Sequence, residues 1–311
     1  MPPANSVTYS KAMNKILRKI ATALRIFRLY FSKSPELASI QKQNTNAKVL
    51  DVVIHAHIYN DNYLKKLTKG IKNFPEAMFL ISVPNLDIKQ RVLEIFQTNH
   101  KQRVKVEIVP NRGRNFGPML NVFSEEILSH EILVHIHSKA SNGMLFRFFW
   151  SNILWRDLYL SKKRVRENFQ YFSDPKLGVL ATFTLGWTPP VFSWGGSFEK
   201  AQKLFPEITY LYDEAATFLY PIGGMFWARV SSIQPLFEKI ESYKHFPEEA
   251  NNLKEIQSGQ TTEHVVERLI GLFPETLGFN QIVRVHERRK IITANEFISK
   301  LVLSQNMLRR R

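Results

Sequence analysis

Two short strings of histidine sit at equivalent places in two apolar runs. His55-Ala56-His57-Ile58-Tyr59 closes the run 49–57, and His135-Ile136-His137-Ser138-Lys139 closes the run 132–136. Alternate residues of an extended chain share a face, so each string turns both imidazoles to one side. Such imidazoles can bind a metal, zinc, copper or nickel rather than magnesium, or can hydrogen-bond a base or a phosphate. The plain alternative is a polar strand end, and it suits His55 better than His57 or Tyr59, which stand nearer the ligand-facing edge. Between the strings lies NRGRNFGPML, residues 111–120, where Arg112 and Arg114 flank Gly113. Glycine lets the backbone approach a ligand, arginines fork phosphate oxygens, and a helix N-terminus following them favours an anion. The string is not a P-loop, which needs Gly-Lys-Ser/Thr after four residues and a glycine. A turn with solvated arginines is the alternative.

A third constellation is TTEHVVERLIG, residues 261–271. It reads as a helix opened by Thr261 or Thr262 as cap, with Glu263 and Glu267 four apart on one face and His264 and Arg268 offset together. A carboxylate under a sugar site can serve as general base for a hydroxyl; a surface Glu–Arg helix uses the same residues. Trp187, Trp194 and Trp227 offer flat faces for sugar rings, or fill a core. Sugar transfer from a nucleotide needs positive charge near the departing diphosphate oxygens. The chain has no Asp-x-Asp pair to hold a divalent cation. Lys139 with Arg112 and Arg114 could supply that charge without metal, while His135 and His137 leave a metal open.

The elements that must position these residues alternate. Apolar β-rich runs at 49–57, 78–83, 104–109 and 132–136 are separated by helical spacing at 60–73, 88–98 and about 118–128. This predicts a mainly parallel sheet covered on both faces, a Rossmann-type half that binds ligands at the carboxyl ends of its strands. The second half is less regular: an aromatic helix over 147–172, a buried strand at 178–183, a loop at 186–196, a strand-like segment at 220–230 with a Gly223-Gly224 turn, and a helix at 262–272.

The chain has 311 residues and a formal net charge of +16, with 44% hydrophobic residues and no cysteine. Ample apolar surface excludes a disordered chain. The missing cysteines exclude disulfide scaffolding, thiolate catalysis and cysteine-ligated metal. Residues 1–35 hold seven cations and no acid, and residues 284–311 hold eight cations against Glu287 and Glu296. Thirteen of the sixteen excess charges therefore sit at the two ends, and the body is nearly balanced. From 10 to 33, Met13, Ile16, Leu17, Ile20, Leu24, Phe27 and Phe31 share one helical face opposite most of the cations. That pattern predicts a helix lying on an anionic membrane, or docked on the protein's own body. Arginines interrupt every early hydrophobic stretch, so no cleavable signal is expected. The division is a basic amphipathic helix and linker over 1–47, a domain over 48–283 and a basic helical tail over 284–311. A balanced body without a basic aromatic sheet motif argues against nucleic acid.

At these residues the chain resembles the rhamnan synthesis protein F family, glycosyltransferases of bacterial surface polysaccharide assembly. The resemblance runs over about residues 48–275. Its pieces are His57 with Tyr59, Asn111 to Arg114 with Pro118, His137-Ser138-Lys139, Gly224-Met225-Phe226-Trp227-Ala228-Arg229 and His264-Val265-Val266-Glu267-Arg268-Leu269. It implies a GT-A-like α/β fold and inverting transfer of a deoxysugar, typically L-rhamnose from dTDP-L-rhamnose, to a growing lipid-linked glycan. The protein would then be cytoplasmic and peripheral on the inner face of the cytoplasmic membrane. His57, Tyr59, Asn111, Arg112, Gly113, Arg114, Asn115 and His137 would hold the donor. Lys139 would offset charge, Glu267 or Glu263 would act as base, and Gly224, Trp227, Arg229, His264 and Arg268 would line the sugar and acceptor pocket. Two residues depart from the pattern: Asn115 replaces an acid near the donor, and Glu263 stands where a small or apolar residue is usual. A degenerate transferase that only binds glycan is the second reading.

Overall fold

The computed structural model describes residues 50–98, 102–138, 145–183, 193–246, 260–285 and 290–293. Its first half follows the expected alternation. The strands are β1 (Val52–His57), β2 (Met78–Val83), β3 (Arg103–Ile108) and β4 (Ile132–His137). Helices α1 (Leu64–Ile71), α2 (Leu86–Gln97), α3 (Phe116–Asn121) and α4 (Ser124–Leu128) lie between them. Every residue of β1 and β4 is buried, as expected of strands covered on both faces. At the edge, β3 exposes Arg103 and Ile108, and its Lys105 pairs with Glu126 of α4. Charge on an edge strand opposes pairing with other chains. Asn85 starts α2 by accepting from the Ile88 amide at 3.0 Å, a side-chain N-cap.

The second half begins with α5 (Leu145–Trp155), a π turn (Arg156–Leu160) and α6 (Lys162–Phe172), where one continuous helix is expected from sequence. The π turn frees backbone carbonyls, and side chains take them. Trp227 Nε1 donates to Leu158 O at 2.9 Å, and Asn73 Nδ2 donates to the carbonyls of Tyr159 and Leu160. Ser161 then caps α6. Next come β5 (Leu177–Phe183), α7 (Phe198–Leu204), α8 (Pro206–Leu211), β6 (Phe226–Arg229), α9 (Val230–Lys239), α10 (Thr262–Thr276), β7 (Asn280–Val285) and β8 (Lys290–Thr293).

The eight strands among the described residues join one sheet in the order β3-β2-β1-β4-β6-β5-β7-β8. The expectation of a mainly parallel sheet holds for β3-β2-β1-β4 and for β5 with β7. It fails at β6, antiparallel to both β4 and β5, and at β8, antiparallel to β7. The sheet is mixed. The reversal at β6 follows from the chain path: the Gly223-Gly224 turn enters β6 at the end of the sheet where β1 and β4 finish.

The boundary at 284 also moves. Residues 284–285 and 290–293 are strand rather than helix, continuing the sheet. Arg284 is no surface charge of a tail. It is 3% exposed and donates from Nη1 to Glu167 at 2.6 Å and from Nη2 to Asn168 at 2.7 Å, while Arg164 reaches the same Glu167 oxygen at 2.8 Å. Residues 1–47, with the amphipathic segment, and 294–311 lie outside the described residues. No described helix is long and apolar enough to cross a membrane. Burial raises the Glu167 carboxyl, and bonds from Arg284 and Arg164 outweigh it, so its pKa falls below the ordinary value. Removing one partner of a buried ion group strands the others at a cost of about 3–5 kcal/mol. Glu167→Ala is therefore expected to lower the urea midpoint by a matching amount; an unchanged midpoint would show that the three groups are not buried together.

Candidate functional site

The strand order reverses direction of growth at β1: β2 and β3 lie on one side of it, β4 on the other. In sheets of this kind ligands bind outside the carboxyl ends of the strands that flank such a reversal, which here are the ends of β1 and β4. His57 and His137 are the last residues of β1 and β4, and stand opposite each other in register, as do His55 and His135 one step below.

These imidazoles are buried and bonded in a row. Ser82 at the end of β2 lies within hydrogen-bond distance of both His57 Nδ1 (2.8 Å) and His55 Nε2 (3.2 Å). His55 Nδ1 lies 2.9 Å from His135 Nδ1, and His135 Nε2 lies 2.9 Å from Asn115 Nδ2. His135 is stacked between Phe116 and Phe226, with ring centroids 5.6 and 5.2 Å away. Burial, and next the neighbouring histidines, hold His55 and His135 well below the ordinary pKa. Burial brings His57 down to about 4. The row is neutral at pH 7.

Asn115 comes from the Asn-x-Gly-Arg loop. Gly113 and Arg114 both take positive φ, 69° and 49°. For a non-glycine residue that region is strained and often marks a working site. The Gly113 carbonyl accepts from the amides of Phe116 and Gly117, and a Cβ on Gly117 would sit 2.4 Å from the Arg112 carbonyl. The arginines are half-buried, and Arg112 Nε donates to the Phe246 carbonyl at 2.8 Å. Asn115 occupies the N-cap position of α3 without capping it, its amide being engaged by His135.

The Gly223-Gly224 turn closes over this row. Both glycines have positive φ, and a Cβ on Gly224 would lie 3.0 Å from Asn115 Nδ2 and 3.4 Å from His137 Nε2. His137 Nε2 donates to the Gly223 carbonyl at 2.7 Å, and the Gly223 amide donates to Glu267 Oε1 at 2.7 Å. The structure thus brings together His57, Asn115, His137, Gly224 and Glu267, with Tyr59 at the rim, 43% exposed. Ser138 holds the rim by accepting from the Tyr59 amide at 2.7 Å.

Other expected site residues fall elsewhere. Trp227 is fully buried on the sheet face opposite His135, against Phe74, Phe169 and Phe172, so it is core. Arg229 sits opposite Ile132, at the far end of β4, bonded to Glu131 and to the carbonyls of Leu177, Phe172 and Asp174. Trp227 is structural because it faces the other side of the sheet, and Arg229 because the antiparallel β6 carries its last residue to the end of the sheet away from His137. Thr261 holds the N-cap position of α10, yet its hydroxyl pairs with His264 Nδ1. Arg268 bonds the Ser193 and His264 carbonyls and lies over the Tyr220 ring. Glu263 is buried with Oε2 unpartnered. Trp194 is core, its indole bonded to the Asp213 carbonyl. Lys139 and Trp187 lie outside the described residues.

Two residues that bond the histidine strands are absent from the sequence-based expectations. Ser82 is the lone polar residue of a buried apolar strand, a signal that was available. Trp155, whose indole donates to the His137 carbonyl at 3.1 Å, carried none. Apart from the row, Lys66 of α1 lies 4.4 Å over the Tyr63 ring, donates to Asn152 and is brought down to about 8 by burial. As to metal, the described residues contain no group of three or more acidic or histidine side chains placed to hold an ion, and both nitrogens of His55 and His135 face bonding partners.

The model of the family described as rhamnan synthesis protein F matches residues 10–278. The chain belongs to that family. The match begins inside the basic amphipathic segment, ahead of the span 48–275 that carries the resemblance. An uncharacterized protein WxcX of Xanthomonas campestris pv. campestris strain B100 is 25% identical over 186 residues, 58% of this chain and 26% of the relative. Its counterpart in a second strain is 24% identical over 185 residues. The chain thus aligns with about a quarter of the length of these curated relatives. The family points to rhamnan or polysaccharide synthesis.

Because His57 titrates near 4 folded and near its ordinary 6.5 unfolded, the unfolded chain binds the extra proton. Stability present above pH 6.5 is therefore lost as pH falls toward 4, by on the order of 3 kcal/mol from this ring. Urea midpoints measured from pH 7.5 to 4.5 should fall, and fall less in His57→Gln; equal slopes would remove His57 from the linkage.

Proposed function

We propose that the chain is an inverting glycosyltransferase with a GT-A-like domain, moving a deoxysugar from a nucleoside diphosphate to a hydroxyl of a lipid-linked glycan. The donor suggested by the family resemblance is dTDP-L-rhamnose. The observation that carries this reading is the meeting of the strained Asn-x-Gly-Arg loop, the histidine row and Glu267 at the carboxyl ends of β1 and β4.

The acceptor oxygen attacks the anomeric carbon as the bond to the diphosphate oxygen breaks, and the acceptor proton passes to a carboxylate. Glu267 suits that role better than Glu263. It is half-buried rather than buried, and the Gly223 amide holds one oxygen while leaving the other for substrate. Asn111, Arg112, Gly113 and Arg114 would cradle the diphosphate, with Lys139 completing the charge. His137, anchored on Gly223, would orient the donor. A divalent cation beside the diphosphate would supply further charge. The basic segment at 1–47 and the tail beyond 293 would hold the protein at an anionic membrane surface, where a lipid-linked acceptor lies.

Purified protein offered dTDP- and UDP-sugars with a glycan acceptor, with and without EDTA, should release nucleotide from one donor class. Glu267→Gln should lower kcat by about 10²–10⁴-fold, the range for general-base catalysis, with donor binding retained. Unchanged turnover would remove Glu267 as base. Donor binding without turnover on any acceptor would favour a binding subunit, which the neutral Asn115–His135 contact also suits.

A further inference from the structure

The hydrogen-bond row from Asn115 to His57 has a direction. An amide nitrogen only donates, so Asn115 Nδ2 makes His135 Nε2 an acceptor. A neutral imidazole carries one proton, which places that of His135 on Nδ1, donating to His55 Nδ1. His55 then holds its proton on Nε2 and donates to Ser82 Oγ. The Ser82 hydroxyl has a single proton, left for His57 Nδ1. The proton of His57 must therefore be on Nε2. That nitrogen bonds none of the described residues, and His57 as a whole is 6% exposed.

We propose that Asn115 is a positioning residue that acts through His135, His55 and Ser82 to present His57 Nε2–H at the carboxyl ends of β1 and β4 as a fixed donor. The group met there is an acceptor, an oxygen of the donor's diphosphate; that half rests on the function proposed above, whereas the direction of the row does not. His57 so locked is not a base. Burial supports the row because each break would leave an unpaired polar atom away from water. The direction also hangs on one atom: an oxygen in place of the amide nitrogen reverses every step without losing a bond.

The test is two-bond 15N–1H correlation of the full-length, histidine-labelled protein at pH 7.5, where protonated and lone-pair ring nitrogens fall in separate 15N ranges. Loss of a signal in His57→Gln, His55→Gln or His135→Gln assigns each ring. Expected are Nε2–H forms of His57 and His55 and an Nδ1–H form of His135. In Asn115→Asp all three should switch. A wild-type His57 that is Nδ1–H or mixed overturns the proposal, as does a His57 unmoved by Asn115→Asp. If that variant does not fold, Ser82→Ala should leave His135 and His55 as they were and release His57 into a mixture; an unmixed His57 overturns the relay. Added dTDP should shift His57 Nε2 and keep its tautomer. No shift, with the tautomers intact, overturns the ligand assignment alone.

Discussion

The parallel register of β1 on β4 is the constraint on which the rest of the molecule depends. It sets His55 against His135 and His57 against His137 in the middle of a sheet covered on both sides. Imidazoles there have little access to water, and a buried polar atom without a partner is expensive. Neighbouring elements therefore come to meet them. Ser82 arrives from β2, Asn115 from the Asn-x-Gly-Arg loop, and the Gly223 carbonyl from the turn before β6. Each brings its own element into place. The loop folds back on its own Arg112 carbonyl so tightly that Gly117 tolerates no Cβ, and the turn comes so near that a Cβ on Gly224 would press on Asn115. The same row that satisfies the core thereby assembles the candidate site.

The second support is the π turn between α5 and α6. By interrupting the helix it sets Trp155 beneath the His137 carbonyl and exposes the Leu158 carbonyl to Trp227. Tyr159 of the same turn bonds the Leu67 carbonyl of α1 and stacks on Phe74. The π turn is thus tied to the helix that follows β1. π turns often occur at functional sites, and this one holds the indole that fixes the end of β4. Opposite it, the buried Arg164–Glu167–Arg284 group locks α6 to β7.

Much of the first half was legible. The strand at 78–83 has the bounds that the sequence suggests, and neighbouring elements differ by a few residues. Short apolar runs and helical spacing are local properties. His57, Asn115, His137 and Glu267 were also visible as chemistry-bearing types at strand ends or helix starts. The misreadings share one cause. Trp227 and Arg229 belong to a strand buried on both faces, where alternation does not say which face meets the ligand. Its antiparallel sense, set by pairing with β4 and β5, sends Arg229 to the wrong end of the sheet. Arg284 looked like one of many tail charges until its partners on α6 came from 117 residues away. The break at Arg156–Leu160 leaves helical spacing nearly intact and so leaves no mark in the sequence.

By itself, then, the sequence determined which elements form, where the charge is concentrated and which side chains could do chemistry, because period, composition and spacing act over neighbouring residues. The tertiary structure alone decided that the histidines satisfy one another, that Asn115 serves them rather than its own helix, and that Glu267 meets the Gly223 turn while Trp227 packs on the other side of the sheet. Those outcomes depend on long-range strand order and on which buried polar atom finds which partner, and neither is written in any local stretch of chain.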